Sequence, residues 1–511
     1  MLRKIRITLA AFSFTALTLL FLDFTGTLSP LFGWLAKVQL LPALLALNVL
    51  VVVMLLVLTL VFGRIYCSVV CPLGVLQDVF GWMGKKARKN RYTYSAARQS
   101  LRVLVFTFFL ISLVLGGGLI VQLLAPYSAF GRIATSLLQP VYMAANNVLA
   151  SLAERYDSYA FYHTDVWLRS LSSLAVAAAT LAVLAVLAWR NGRTWCNTIC
   201  PVGTLLGCLA RFSWLKVRFD ADKCKSCSLC TKNCKASCID FKSHTVDYSR
   251  CVACGDCIDS CKFGALSFTP GPLRSHVSPA ERPGAVAASA ASASATSPSA
   301  APSADGRRSF LLATALAATA AMAQEKKHVD GGLAELVGKK APERQTPVVP
   351  PGAQSLRNIQ TRCTGCQLCV SECPNGVLRP GTDLMHLFQP VMDFDRGYCR
   401  PECTRCSEVC PTGAIKPVDA VEKSSIQTGH AVVSASHCLS AIGETECGNC
   451  ARHCPAGAIE MVPIDPSDDL SPSVPAVNES ACIGCGACEY LCPVRPLSAI
   501  HVEGHEVHRT I

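Results

Sequence analysis

Six cysteine quartets, each ending in the rhythm C-x2-C-x3-C, account for all but six of the 30 cysteines in this 511-residue chain. Four lie towards the C-terminus: Cys363, Cys366, Cys369 and Cys373; Cys399, Cys403, Cys406 and Cys410; Cys438, Cys447, Cys450 and Cys454; Cys482, Cys485, Cys488 and Cys492. Two lie mid-chain: Cys224, Cys227, Cys230 and Cys234; Cys251, Cys254, Cys257 and Cys261. A [4Fe–4S] cube takes one thiolate on each iron. Short spacers let one loop wrap three corners while a fourth thiolate arrives from further along. A single C-x-x-C is weak evidence; six complete quartets are strong. They predict six [4Fe–4S] clusters, whose chemistry is one-electron transfer. A disulfide scaffold is the rival use of so many cysteines, but such scaffolds are short secreted chains without clustered C-x-x-C runs.

In the C-terminal quartets the fourth cysteine precedes proline, at Pro374, Pro411, Pro455 and Pro493. Proline fixes φ and removes a donor where the chain turns away from the cluster. In two-cluster ferredoxins the fourth cysteine serves the partner cluster, so the triplets can be assigned but the partner of each fourth cysteine stays open. The expectation adopted is that quartet one pairs with four, and two with three. In the mid-chain pair Lys235 and Lys262 replace the proline. Cys238 aligns with the small residue Ala414 and reads as a buried thiol, with a ligand role as the alternative, and Cys208, isolated in an apolar stretch, reads as structural. The four remaining cysteines form two spaced pairs, Cys67/Cys71 and Cys196/Cys200. At i and i+4 each pair shares a helical face. Three uses stand: four converging thiols holding a metal or cluster, a dithiol–disulfide couple, or small buried thiols at a helix end.

These groups must be positioned by helices. Apolar runs near 7–27, 40–62, 102–124 and 168–189 are long enough to cross a hydrocarbon core, which takes about 20 helical residues. Arg3, Lys4 and Arg6 precede the first run, and the loop after the second carries Arg64, Lys85, Lys86, Arg88, Lys89, Arg91 and Arg98. The loop from 125 to 167 holds only Arg132 and Arg155. The positive-inside rule then puts both ends of the bundle in the cytoplasm. The formal charge of +12 is thereby explained by topology, and no nucleic-acid partner is expected. An internal repeat marks the bundle: Gly63-Arg64-Ile65-Tyr66-Cys67-(x3)-Cys71-Pro72 after the second run, and Gly192-Arg193-Thr194-Trp195-Cys196-(x3)-Cys200-Pro201 after the fourth. Two repeated hairpins packed about a pseudo-two-fold axis would bring the signatures together.

The expected organisation is a four-span α-helical membrane bundle (1–215), a cytoplasmic two-cluster module (216–270), an Ala/Ser/Pro linker (271–306), an export segment (307–323), a second linker (324–355) and a four-cluster module (356–511). Both cluster modules are expected as α+β ferredoxin-like folds. In the export segment Arg307-Arg308 precede a short Ala-rich run ending Ala321-Met322-Ala323, the pattern of a twin-arginine signal. Clusters loaded before crossing would escape oxidation of their thiols outside, which suits the twin-arginine machinery as a partner and places the last module in the periplasm. Whether the chain is cut after Ala323 is open.

Absences narrow the chemistry. All 11 histidines lie outside the four runs, so no membrane pair can hold a b-type haem, and no C-x-x-C-H attaches a c-type haem. No Walker A or G-x-G-x-x-G loop stands in a strand–helix setting. Neither haem, flavin nor nucleotide is expected, and no substrate-turnover site is visible. A quinone within the bundle would give electrons a way in, with His163, Asp165 and Arg169 as candidate polar residues near the outer loop.

The paired signatures on four runs, followed by two cluster motifs, resemble the NapH/MauN type of membrane ferredoxin. The four-quartet module behind an R-R-x-F-L signal resembles NapG/MauM, its exported partner, so the chain resembles a fusion of the two. The resemblance implies a component of quinol oxidation. It would sit in the bacterial inner membrane and relay electrons from the quinol pool to a periplasmic reductase or cytochrome, as in nitrate-reducing systems. An alternative is a redox assembly factor for a periplasmic metalloenzyme.

Overall fold

The N-terminal helix Leu2–Leu22 is the axis of the molecule. At the 1.5 Å rise of an α-helix its 21 residues extend about 30 Å. Arg3, at one end, pairs with Asp256 at 2.9 Å in the mid-chain module. The other end meets the C-terminal module: a Cβ on Gly131 would stand 3.0 Å from Phe21 and 2.2 Å from the Cys366 carbonyl. The two cluster modules therefore sit at opposite ends of this helix. The computed structural model describes residues 2–88, 92–220, 222–270, 337–443, 445–467 and 471–511. The export segment and the first linker lie outside them.

Against it pack Ser29–Lys37, Tyr66–Val69 and Pro72–Arg88, while Val49–Phe62, Gln99–Leu115 and Leu171–Asn191 join the bundle through other helices. Among the described residues, two helices are long and apolar enough to cross a bilayer, Arg3–Leu22 and Leu171–Asn191. The other two expected spans are broken. Leu47, at φ 55°, interrupts the second, and Asn48 then caps Val49–Phe62 by accepting from the Val51 N–H at 3.3 Å. Gly116, at φ 76°, ends Gln99–Leu115, and the chain restarts as Gly118–Leu124. Glycine tolerates that left-handed residue where a side chain would strain. The apolar faces of these helices point outward: Leu50, Leu104, Val114 and Val186 are all exposed.

The segment expected as the outer loop is mostly helical. Pro126–Ile133 is buried along its whole length, a π-turn follows at Ala134–Leu138, and Gln139–Glu154 completes the arm. It carries the C-terminal module. Thr135 Oγ1 donates to Gln367 Oε1 at 3.3 Å, Gln367 Nε2 donates to Ser173 Oγ at 2.7 Å, and Gln139 Nε2 donates to the Ser371 carbonyl at 3.4 Å. Arg132 stacks over Phe388, and Trp167 lies between Arg379 and Arg396.

Both cluster modules are short helices and two-stranded antiparallel sheets. The mid-chain module is closed by Leu215–Phe219 against Leu266–Pro270. The C-terminal module is closed by Ile426–Val433 against Ile500–Thr510. Residues 337–355, assigned to the second linker by composition, pack on this module. The Met392 N–H donates to the Val348 carbonyl at 2.7 Å, and Arg344 pairs with the buried Glu489 at 2.6 Å.

Candidate iron–sulfur sites

The cysteine loops owe their shape to left-handed residues. In four quartets the residues two and four places after the first cysteine both have positive φ: Ser226 and Ser228, Ala253 and Gly255, Gly365 and Gln367, Gly484 and Gly486. This repeated left-handed pair coils the loop so that three thiols face one space. Glycine fills half of these positions, as its freedom there leads one to expect. Quartets two and three, with longer first spacers, do not use the device.

The fourth thiol of each space comes from the other quartet of a pair. Cys224, Cys227 and Cys230 share a cavity of about 350 Å³ with Cys261. Cys251, Cys254 and Cys257 share one of about 340 Å³ with Cys234. In the C-terminal module Cys399, Cys403 and Cys406 line a cavity with Cys373, and Cys438, Cys447 and Cys450 line one with Cys492. Cys410 lies within electrostatic reach of Cys363, Cys366 and Cys369, and Cys454 within reach of Cys482, Cys485 and Cys488. Quartet one is thus crossed with two, and three with four. The expected one-with-four pairing is corrected: sequence neighbours swap their fourth cysteines because the proline turn ends beside the next triplet. The residues fit cubes. Each space presents four thiols, and backbone N–H groups of Gly365, Ile415 and Ala458 aim at Cys363, Cys410 and Cys454 Sγ at 3.3–3.4 Å. Such bonds to sulfur tune a cluster's potential.

Cys238 lines the same cavity as Cys234 and Cys251, and its Sγ is 3.6 Å from that of Cys234. The buried-thiol reading thus places it against a cluster space. Cys208 is exposed on its helix. Its helix leaves that face uncovered.

The bundle signatures meet. Cys67, Cys71, Cys196 and Cys200 are each 4% exposed and lie within mutual electrostatic reach. The two arginines cross: Arg64 Nη2 donates to the Cys196 carbonyl at 3.2 Å, and Arg193 Nη1 donates to the Cys67 carbonyl at 2.6 Å. Gln77 Nε2 donates to Cys196 Sγ at 3.1 Å, and the Gly203 N–H to Cys200 Sγ at 3.4 Å. A Cβ on Gly74 or Gly203 would stand 2.3 Å from the Cys67 or Cys196 carbonyl, so both glycines of the signature are needed for close approach. Burial pushes the Cys71, Cys196 and Cys200 thiols up.

Asp78 was not singled out by the sequence. It accepts from Arg193 Nε and Nη2 at 2.6 and 2.7 Å and from Lys235 Nζ at 2.6 Å. Burial opposes its charge, yet Arg193 and Lys235 hold it ionised well below the usual carboxylate range. Lys235, standing where proline is usual, thus ties the mid-chain module to the bundle. The available signal was a lone acid in the apolar stretch after the first signature, where the second copy has Gly207.

Asp165 and Arg169 line one cavity of about 430 Å³ with Gln139, Trp167, Ser170 and Gln367. It opens between the helical arm and the C-terminal module. Arg169 lies within electrostatic reach of Cys373 and Cys369, and its Nη1 is buried without a partner. His163 is not brought there. It faces Glu154 at 3.3 Å instead.

Crossed quartets on left-handed loops, in two modules at either end of a helical bundle, define an iron–sulfur electron-transfer protein of ferredoxin type. Comparison with known proteins agrees. Models described as 4Fe-4S binding domains match residues 44–91 and 173–220, and others of that description match 244–267 and 359–379. A 4Fe-4S dicluster domain matches 445–495. The methylamine utilization ferredoxin-type protein MauM of Methylobacillus flagellatus is 32% identical, over 32% of this chain and 70% of its own length. MauN of Paracoccus denitrificans is 26% identical, over 34% of this chain and 49% of its own. The putative electron transport protein YccM of Escherichia coli is 25% identical, over 38% and 47%. The chain spans about half the length of the latter two relatives. It belongs to the MauM family of ferredoxin-type proteins, and it joins that NapG/MauM-like part to a part similar to NapH/MauN.

Proposed function

We propose that this chain is an integral-membrane relay that takes electrons from quinol and delivers them to a periplasmic oxidoreductase, a nitrate-reductase-like system being the reading carried by the resemblance. In this reading the bundle is four-span despite its two broken helices, since local bilayer thinning absorbs such a shortfall. The six quartets hold six [4Fe–4S] clusters, the mid-chain pair in the cytoplasm. The four of the C-terminal module lie in the periplasm, delivered folded by the twin-arginine route. The outward apolar faces of the bundle and the separation of the modules by about 30 Å of helix support this placement.

The observation that carries the quinol reading is the cavity of about 430 Å³ lined by Asp165 and Arg169. It opens beside two cysteines of quartet one, Cys369 and Cys373. When bound, the cubes supply one-electron exchange. The chain's own residues do the rest. Arg169 presents an unpaired N–H to a quinol oxygen, and Trp167 lines the cavity. Asp165 accepts one of the two protons released on oxidation while solvent takes the other, and the two electrons leave one at a time to the neighbouring clusters.

The test is reduction of the purified, cluster-loaded protein in detergent by a quinol analogue, followed by iron–sulfur absorbance. Prompt bleaching is expected, slowed at least about tenfold in Arg169→Leu, the loss of one well-placed hydrogen bond to a charged group. Absence of bleaching in the unaltered protein overturns the quinol reading.

A further inference from the structure

The geometry points to an iron–sulfur centre held by Cys67, Cys71, Cys196 and Cys200, the stepping stone by which electrons pass between the modules through the bundle. This inference extends the relay reading above, because only a relay with clusters at both ends needs such a step.

Four thiols are what either a [2Fe–2S] or a [4Fe–4S] cluster takes. Each segment matched as a 4Fe-4S binding domain in the bundle, 44–91 and 173–220, contains only one of the spaced pairs, so neither can complete a site alone. The fold brings the pairs together. Among the described residues, no three or more His, Cys, Asp or Glu close tightly enough for a single metal ion. A dithiol switch fits poorly, since redox-sensing cysteines are exposed and these are 4% exposed. Donors already face the sulfurs: Gln77 Nε2 to Cys196 at 3.1 Å, the Gly203 N–H to Cys200 at 3.4 Å, and Arg64 Nη2 to Cys67 at 4.0 Å. Such bonds stabilise the negative charge of a reduced centre.

The site has a neighbour on each side. Towards the mid-chain module, Arg64 Nη1 donates to the Ser249 carbonyl at 3.1 Å, two residues before Cys251, and Asn197 Nδ2 donates to the Ala236 carbonyl at 3.1 Å, between Cys234 and Cys238. Towards the C-terminal module, buried Tyr66 lies within electrostatic reach of Cys67, Cys71 and Cys200. Tyr127, also buried, reaches Tyr66 on one side and Cys366, Cys369 and Cys410 on the other. An electron lost from either flanking cluster space, that of Cys366 and Cys410 or that of Cys234 and Cys251, is gained at the tetrad and then passed to the other. No bond is made and no proton moves.

The experiment uses the full chain, cluster-loaded, with Cys71→Ser, Cys200→Ser and, as control, Cys208→Ser. Iron per chain is expected to fall by about four for a cube, or about two for a [2Fe–2S] cluster, in the first two and not in the third. The electron paramagnetic resonance signals of the other clusters should be retained. The second readout is made in quinone-free vesicles with an impermeant one-electron reductant outside. The unaltered protein should bleach fully, whereas the two variants should stop at the clusters facing the reductant. Loss of one iron or none, or full bleaching in the variants, overturns the inference. Should the variants fail to fold, partial bleaching of the unaltered protein overturns it and full bleaching upholds it. With no quinone present, failure of the quinol reading leaves these outcomes unaffected.

Discussion

Replacing Asp78 with asparagine removes the carboxylate that pairs Arg6, Arg193 and Lys235 and leaves three cations in a confined space, with Asp256 still paired to Lys235 and Arg6. Breaking a buried pair from one side costs about 3–5 kcal/mol. Asp78→Asn is therefore expected to loosen the mid-chain module, read as faster iron loss from its two quartets while the C-terminal signals persist. A second residue-scale prediction concerns His508, which burial first and His505 second push down to about 4. Both of its ring nitrogens are buried without partners. Because the folded state resists protonation that the unfolded chain accepts from about pH 6.5, this contribution is complete above that pH. It is lost as pH falls towards 4, by up to about 3 kcal/mol. The strand Ile500–Thr510 should thus lose hydrogen-exchange protection in acid, and His508→Phe should remove much of that dependence.

Among the elements, what the sequence made legible followed from spacing that chemistry dictates. The cysteine triplets, the outer two apolar helices and the repeated signature were all readable, because ligand geometry and bilayer thickness each impose a period. The broken helices were readable only in hindsight. Leu47 carries no turn signal, and the Gly116–Gly118 run was outweighed by the apolar residues on either side. The arm at 126–154 escaped because Pro126–Ile133 is buried along its whole length and neither it nor Gln139–Glu154 is set off by a side-chain cap. The crossing of fourth cysteines was unreadable, since spacing is silent on which neighbour a turn meets. Close contact at the arm gives a further test. Gly131 sits where a Cβ would meet the Cys366 carbonyl at 2.2 Å, so Gly131→Leu should force the C-terminal module away. The expected cost is about 3 kcal/mol, the upper part of the usual overpacking range. Faster proteolysis at the junction would report it, with the mid-chain quartets unaffected.

For the molecule as a whole, the C-terminal module is seated on the bundle through Arg132, Thr135, Gln139, Trp167 and Ser173. Cleavage after Ala323 would therefore cut a tether without freeing the module. An antibody against the C-terminus should find it in washed membranes whether or not the chain is cut, and appearance in the soluble periplasmic fraction would contradict this docking. The reciprocal arginines carry a consequence of their own. Arg64 caps a carbonyl of the second hairpin and Arg193 one of the first. A lone hairpin of this kind could satisfy its own turn only by meeting a twin. The doubled chain is in that sense a homodimer written on a single string, and Asp78, facing Gly207 in the other copy, is where the twins have ceased to be alike.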